Sequence, residues 1–247
     1  QFAYQNTVVK ETLPAPAHLL DELYREENAA VTKAIYPDED ALIDDIVAAY
    51  RTVIRDLYDA GCRCLQLDDC TWAMLCDTKY WTQRQGGTEN LKVIAERHLT
   101  INNRVLEDQP FDLVISTHVC RGNYHSTWAA RGRISAHCAP SFLLAKRFIP
   151  SILNLMTSVP GGFAPLRYVS PDKTVVLGLV TTKRPDLEDP ERIRERIKEA
   201  AQYVPLSRLS LSPQCGFAST EIGNKLTEED QWKKIALVRD IAQTVWG

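Results

Sequence analysis

The chain has 247 residues, 45% of them hydrophobic and 25% charged, with a net charge of −3 and a pI near 6.0. That composition supplies a core for one globular domain, 1–247, and argues against a basic surface made for nucleic acid. No run of roughly 18 apolar residues is available to span a membrane, and no signal peptide opens the chain. The seven cysteines, at 62, 64, 70, 76, 120, 138 and 215, are odd in number and irregularly spaced. In a chain this rich in core residues, they predict a reducing, cytoplasmic setting rather than a disulfide scaffold.

In chain order, a first strand is expected near Thr7 to Leu13. Apolar residues at Ile43, Ile46, Val47, Tyr50, Val53, Ile54 and Leu57 recur at helical spacing, and Gly61 ends that helix in the C′ position. A short apolar run, Cys64 to Leu67, stops at Asp68-Asp69. Thr88 can cap a helix carrying Leu91, Ile94, Leu99, Ile101 and Leu106. Leu113 to Thr117 predicts a strand running into His118, and Thr174 to Val180 one running into Thr181-Thr182-Lys183. A helix follows near Pro190 to Tyr203, then a strand from Leu209 to Ser212 that runs into Pro213-Gln214-Cys215-Gly216. Thr227 with Asp230 three residues on opens the last helix in a capping-box-like start, with an apolar stripe of Trp232, Ile235, Val238, Ile241, Ala242 and Val245.

Short apolar strands alternating with amphipathic helices predict βα units and a parallel sheet. No G-x-G-x-x-G or G-x-x-x-x-G-K follows a strand, which disfavours a nucleotide-binding open sheet. The polar clusters fall instead at the carboxyl ends of strands, where (β/α)₈ barrels of about 250 residues keep their chemistry. The plainer reading is that strand ends are polar because they face water.

His118 and Cys120 lie two apart at a strand end, so their side chains point to one side. Imidazole and thiolate are both zinc ligands. H-x-C alone is weak evidence, but Cys215 ends a second strand in the same way. A His, Cys, Cys set leaves a further coordination position open, as reactive zinc sites need.

The strings LQLDD (65–69), HVCRGN (118–123) and SPQCG (212–216) resemble motifs of the cobalamin-independent methionine synthase family, in its C-terminal catalytic domain. GFAPLRYV (162–169), VVLGLVTTKRPDLED and TEEDQWKKIALVRDIA resemble its short, single-domain bacterial relatives. The resemblance covers most of residues 1–130 and 162–247. It implies a TIM (β/α)₈ barrel that transfers a methyl group from a methyltetrahydrofolate, usually polyglutamylated, to homocysteine, giving methionine. It matches His118, Cys120 and Cys215 to three Zn²⁺ ligands and Asp68 to a carboxylate that holds the homocysteine ammonium group. Asp69 is either a second substrate carboxylate or the N-cap of the helix after the strand.

Two departures from the family pattern stand out. The larger synthases carry a proton-donating His after the strand matching Val175 to Val180, where this chain reads TTKRP. Lys183 falls near that place: a proton donor if burial lowers its pKa, a partner for the anionic folate tail, or a solvated charge. The family also expects a glutamate ligand between Cys120 and GFAPLRYV, yet residues 133–161 contain no Glu or Asp and are punctuated by Pro140, Pro150 and Pro160. Codons compatible with Phe148 to Gly161 can be read in a shifted frame as YTFYFEFDDERSG, and those of Ile134 to Cys138 in the other frame as YQPIA. Both strings resemble the family at this place. The segment is therefore expected to record single-base sequencing errors, with the missing Glu overlapping the codons of Leu153 and Asn154.

Cys62, Cys64, Cys70 and Cys76 read as core residues, and His18, His98 and His125 lack spaced partners. Trp72 and Trp128 could line a pterin pocket but read more readily as core packing. His137-Cys138 lies in the suspect segment. The strand-ends number about five where a closed barrel needs eight, so the barrel is expected to be incomplete and the polypeptide to extend N-terminal to Gln1. Competing readings keep zinc-thiolate chemistry with another thiol or methyl donor, or a non-catalytic zinc- or thiol-binding relative. The sequence does not give the oligomeric state.

Overall fold

The computed structural model describes residues 8–75, 77, 90–119, 122–127, 152–155 and 162–247. Its centre is a parallel sheet of six strands in chain order: β1 (Glu11–Pro14), β2 (Cys64–Asp69), β3 (Val114–Val119), β4 (Ile152–Leu155), β5 (Thr174–Val180) and β6 (Leu209–Pro213). Every neighbouring pair is parallel, as βα units require. Among the described residues β1 and β6 each pair on one side only. The arrangement is a run of barrel-type βα units; closure into a full (β/α)₈ barrel lies outside it.

The helices are α1 (Pro16–Leu23), α2 (Glu26–Ile35), α3 (Glu39–Asp59), α4 (Thr71–Leu75), α5 (Leu91–Val105), α6 (Pro190–Ala200) and α7 (Glu228–Trp246). The helical pattern of Ile43 to Leu57 is realised in α3, which Asp38 caps and Gly61, at φ +101°, closes. The last helix opens on the expected reciprocal capping box between Thr227 and Asp230. Asp189 caps α6 ahead of Pro190 at its first position. No described helix is long and apolar enough to cross a membrane.

Several expectations are corrected. The cap of α5 is Asn90, which accepts from the Lys92 N–H; Thr88 lies outside the described residues. Strand β2 continues through Asp68 and Asp69 rather than stopping before them, because the β3 ladder runs on to pair Asp68 with His118 and Asp69 with Val119. A strand does form inside 133–161, which reads poorly for one. Ile152 to Leu155 fills the slot between β3 and β5, where a ladder on each side outweighs weak local signals. Helices α1 and α2 were not anticipated. Trp232, counted in the apolar stripe of α7, is exposed and donates to Glu228, while its neighbour Lys234 is wholly buried.

Two apolar clusters cover the helix side of the sheet. One joins Leu65, Leu67 and Ile115 to Leu20 of α1, Ile46 and Ile54 of α3, and Ile101 of α5. The other joins Val175, Leu177, Val180 and Leu209 to Ile193 and Ile197 of α6 and Ile241 of α7. Side chains alternate along a strand. Toward the carboxyl ends of β2, β3 and β6 the intervening positions, Gln66, Asp68, Ser116, His118, Ser210 and Ser212, therefore lie on the opposite face and are polar, whereas in β5 they are Val176 and Gly178. In a barrel that face is the interior.

Candidate functional site

The carboxyl end of β3 brings His118 to the polar face, directly beside Asp68 of β2 in the ladder. His118 is only 5% exposed, and among the described residues neither ring nitrogen has a hydrogen-bond partner. A buried imidazole with both nitrogens unanswered costs stability unless something else answers them, because a buried polar atom left unmatched loses its hydration. Neutral imidazole nitrogens are common metal ligands. On the far side of His118 the ladder sets Asn154 as the register partner of His118 and Leu153 as that of Thr117. The position expected to supply the missing glutamate is thus next to His118 in the sheet.

Cys215 follows β6. Strands β5 and β6 step out of register between Gly178 and Val180, and the Gln214 N–H donates to the Val180 carbonyl at 2.8 Å. The chain then turns at Gly216, whose φ of +83° lies in the left-handed region that favours glycine. Cys215 is a partly exposed thiol, and Cys62, Cys64 and Cys70 are likewise outside any disulfide. Cys120 lies outside the described residues, as do Trp128 and His137-Cys138. Among the described residues no group of three His, Cys, Asp or Glu side chains gathers around a point.

A polar lattice ties the loop after β3 to the loops after β5 and β6. The Asn123 amide nitrogen reaches Ser219 Oγ at 3.1 Å, and Thr182 Oγ1 and the Gly216 carbonyl at 3.4 Å each. Asn224 donates to the Thr182 carbonyl at 2.9 Å and to that of Gly216 at 3.2 Å. Ser219 closes onto the Cys215 carbonyl, and the Lys225 N–H donates to Ser126 Oγ, both at 2.9 Å. The segment that follows His118 and the turn that carries Cys215 are therefore fastened together by side-chain amides. Asn123 and Asn224 were not singled out from sequence, although Asn123 sits in the quoted HVCRGN string. Gln214 is a further unanticipated residue: 1% exposed, with neither amide atom partnered among the described residues.

The two aspartates of β2 have different surroundings. Asp68 is half-buried on the polar face and accepts from the Gln66 amide at 2.7 Å. Asp69 is 0% exposed on the helix side. Its carboxylate accepts from the Thr71 N–H at 3.1 Å, the Thr71 hydroxyl, Trp72 Nε1 at 2.9 Å and Asn102 Nδ2 at 2.8 Å. Burial pushes its pKa up, against the Thr71 hydrogen bonds, the nearby His98 and the Asn102 bond, which pull it down. The Thr71 contacts tie Asp69 to the start of α4, although Cys70, not Asp69, immediately precedes that helix. Trp72 is buried in the core, edge-on to His98, which itself pairs with Asp21 at 2.8 Å. Tyr50 donates to the Pro14 carbonyl at 2.8 Å, and its phenol is raised to about 12 by burial and then by the Asp69 charge.

Lys183 ends the β5 loop at 5% exposure, so the reading of a solvated charge is corrected: the aliphatic stem is enclosed. Its backbone N–H donates to Thr181 Oγ1, while Glu188 accepts from the Thr181 N–H at 2.7 Å and pairs with buried Lys234 at 3.1 Å. Lys234 also donates to the Asp186 carbonyl at 2.6 Å, pinning the loop to α7. Nothing in the helical pattern marks Lys234 as buried.

Residues 157–243 match the catalytic domain of the cobalamin-independent synthases. The chain is 44% identical over 245 residues to the uncharacterized protein YxjH of Bacillus subtilis, which covers 98% of this chain and 62% of that protein. It is also 44% identical over 203 residues to the uncharacterized YxjG of the same organism, covering 82% of this chain and 53% of that one. The chain therefore spans between about half and two thirds of these relatives' length. Among solved structures, a Listeria monocytogenes protein provisionally called a vitamin-B12 independent methionine synthase superposes with a TM-score of 0.73 at 34% identity, over 98% of this chain and 65% of that one. A B12-independent methionine synthase from a Shewanella species, solved in complex with selenomethionine, superposes with a TM-score of 0.71 over 98% of this chain and 63% of that one. At 16% identity the second likeness establishes the fold alone.

Proposed function

We propose that this chain, whose residues 157–243 match the catalytic domain of the cobalamin-independent synthases, is a zinc-dependent methyltransferase of that family, forming methionine from homocysteine and a methyltetrahydrofolate, the donor usually polyglutamylated. The observation that carries the reading is His118: a buried imidazole with two unanswered nitrogens, whose following segment is fastened through Asn123 to the turn bearing Cys215. An imidazole and thiolates suit Zn²⁺ by their donor chemistry. His118, Cys120 and Cys215 would hold the ion. The fourth position is expected near Leu153-Asn154, where residues 133–161 offer no carboxylate.

Bound Zn²⁺ would supply the Lewis acidity that brings a thiol, with a pKa of about 8.5, to its thiolate at neutral pH. The chain's own residues would orient the substrate. Asp68, beside His118 on the polar face, would accept hydrogen bonds from the homocysteine ammonium group. In the transfer an S–CH₃ bond forms as the N–CH₃ bond of the pterin breaks, and the freed nitrogen takes a proton. Lys183, enclosed at the end of β5, would deliver that proton or hold the folate's anionic tail.

A second reading, zinc-thiolate alkyl transfer with another thiol or donor, is favoured by Lys183 standing where the larger synthases have a His. A third, a non-catalytic zinc- or thiol-binding relative, is favoured by the lack of any Glu or Asp in 133–161. Resequencing the coding DNA bears on the third, since an unbroken read giving this same amino-acid sequence over 133–161 would end the frame-shift explanation. The purified chain should contain stoichiometric zinc and form methionine, and Cys215→Ser should lose both together. Full zinc occupancy in that variant would remove Cys215 from the site. Zinc and thiol binding without turnover on any folate would favour the other readings.

A further inference from the structure

We infer that Asp69 is a positioning residue for substrate binding: it holds the end of β2 in the one geometry that presents Asp68 beside His118. The inference rests on the proposed role of Asp68 in holding homocysteine. The two aspartates are consecutive on one strand, so they point to opposite faces, and whatever fixes the backbone of one fixes the other. Asp69 is anchored from two helices at once. Thr71 and Trp72 of α4 and Asn102 of α5 all donate to its carboxylate.

The anchoring continues outward. Asn102 turns its other amide atom to accept from the Ala17 N–H of α1 at 3.0 Å, and Ala15, just ahead of α1, donates its N–H to the Asp68 carbonyl at 2.9 Å. His98 of α5 pairs with Asp21 of α1 and meets the Trp72 ring edge-on. Asp69, Asn102 and α1 thus form a loop of contacts that returns to the backbone of Asp68. A capping role alone would need only the Thr71 contacts. The Trp72 and Asn102 bonds, on a carboxylate with no exposure to water, fix the strand end against both helices.

The substitution to test is Asp69→Asn. It keeps shape but must face at least one donor with an N–H, so the loop of contacts opens. In the zinc-loaded enzyme KM for homocysteine should rise on the order of tenfold to a hundredfold, with kcat changed much less and zinc content unchanged. Trp72→Phe, which removes one donor and leaves the carboxylate in place, should raise KM in the same direction by less, and serves if Asp69→Asn fails to fold. Ile241→Ala, on α7 against β6, is the control for lost stability: its Tm should fall while its KM stays. An Asp69→Asn enzyme with lowered Tm and the KM of the control would overturn the inference. Should the unmodified chain neither bind nor turn over homocysteine, the proposed function has failed. The positioning itself is then read by amide exchange at Ala15, which should quicken in Asp69→Asn and not in Ile241→Ala; equal exchange in the two would overturn it.

Discussion

On the helix-covered face of the sheet Leu65, Leu67, Ile115, Leu177 and Leu209 interlock with α1, α3, α5, α6 and α7, whereas the alternate positions carry Gln66, Asp68, Ser116, His118, Ser210 and Ser212. The first face buries apolar area that no chemistry could use. The second keeps polar groups at its carboxyl end, among them His118, whose ring nitrogens have no partner among the described residues and so carry a stability cost there. Fold and chemistry are thus separated by the two-residue period of a strand, and a change on one face should leave the other's measurement nearly untouched.

That separation can be broken or sharpened by substitution. Leu177→Ala, on the helix face, should lower unfolding free energy by about 2–5 kcal/mol, read by denaturant titration, while the folded fraction keeps its zinc. Loss of zinc from folded Leu177→Ala would show that the faces are coupled. Asp68→Asn, on the polar face, should do the reverse. With one charge-assisted contact gone, about 1.5–3 kcal/mol of homocysteine binding should be lost with little change in Tm, as calorimetry would detect. A large fall in Tm without loss of affinity would move Asp68 to the structural side. The smallest effect belongs to neither face: Thr227→Ala removes the capping box of α7 and should cost about 1 kcal/mol, leaving both zinc and affinity as they were.

Much of this was legible from residues alone. The spacing of Ile43 to Leu57 gave α3, Thr227 and Asp230 gave the start of α7, and the apolar runs gave β2, β3, β5 and β6 to within a residue or two. These succeed because periodicity and capping act over a few neighbouring residues. Strand β4 was not legible, since its place depends on two ladders contributed by distant segments. Buried Lys234 and the amide lattice of Asn123 and Asn224 were hidden for the same reason: Lys234 bonds Glu188 46 residues away, Asn224 bonds Thr182 42 residues away, and Asn123 bonds Gly216 93 residues away.

The sequence by itself determined the class of fold, the helix and strand periods that set which residues are buried, and the candidates His118, Cys120 and Cys215 proposed to hold a thiol-activating ion. Those follow from side-chain chemistry and local spacing. Only the tertiary structure decided that Asp68 stands beside His118, that Asp69 turns away into a helix-bound lattice, and that the turn of Cys215 is fastened to the segment after β3. The physical reason is that ladder register and loop-to-loop hydrogen bonds are set by the packing of whole βα units against one another, and no stretch of chain contains that information alone.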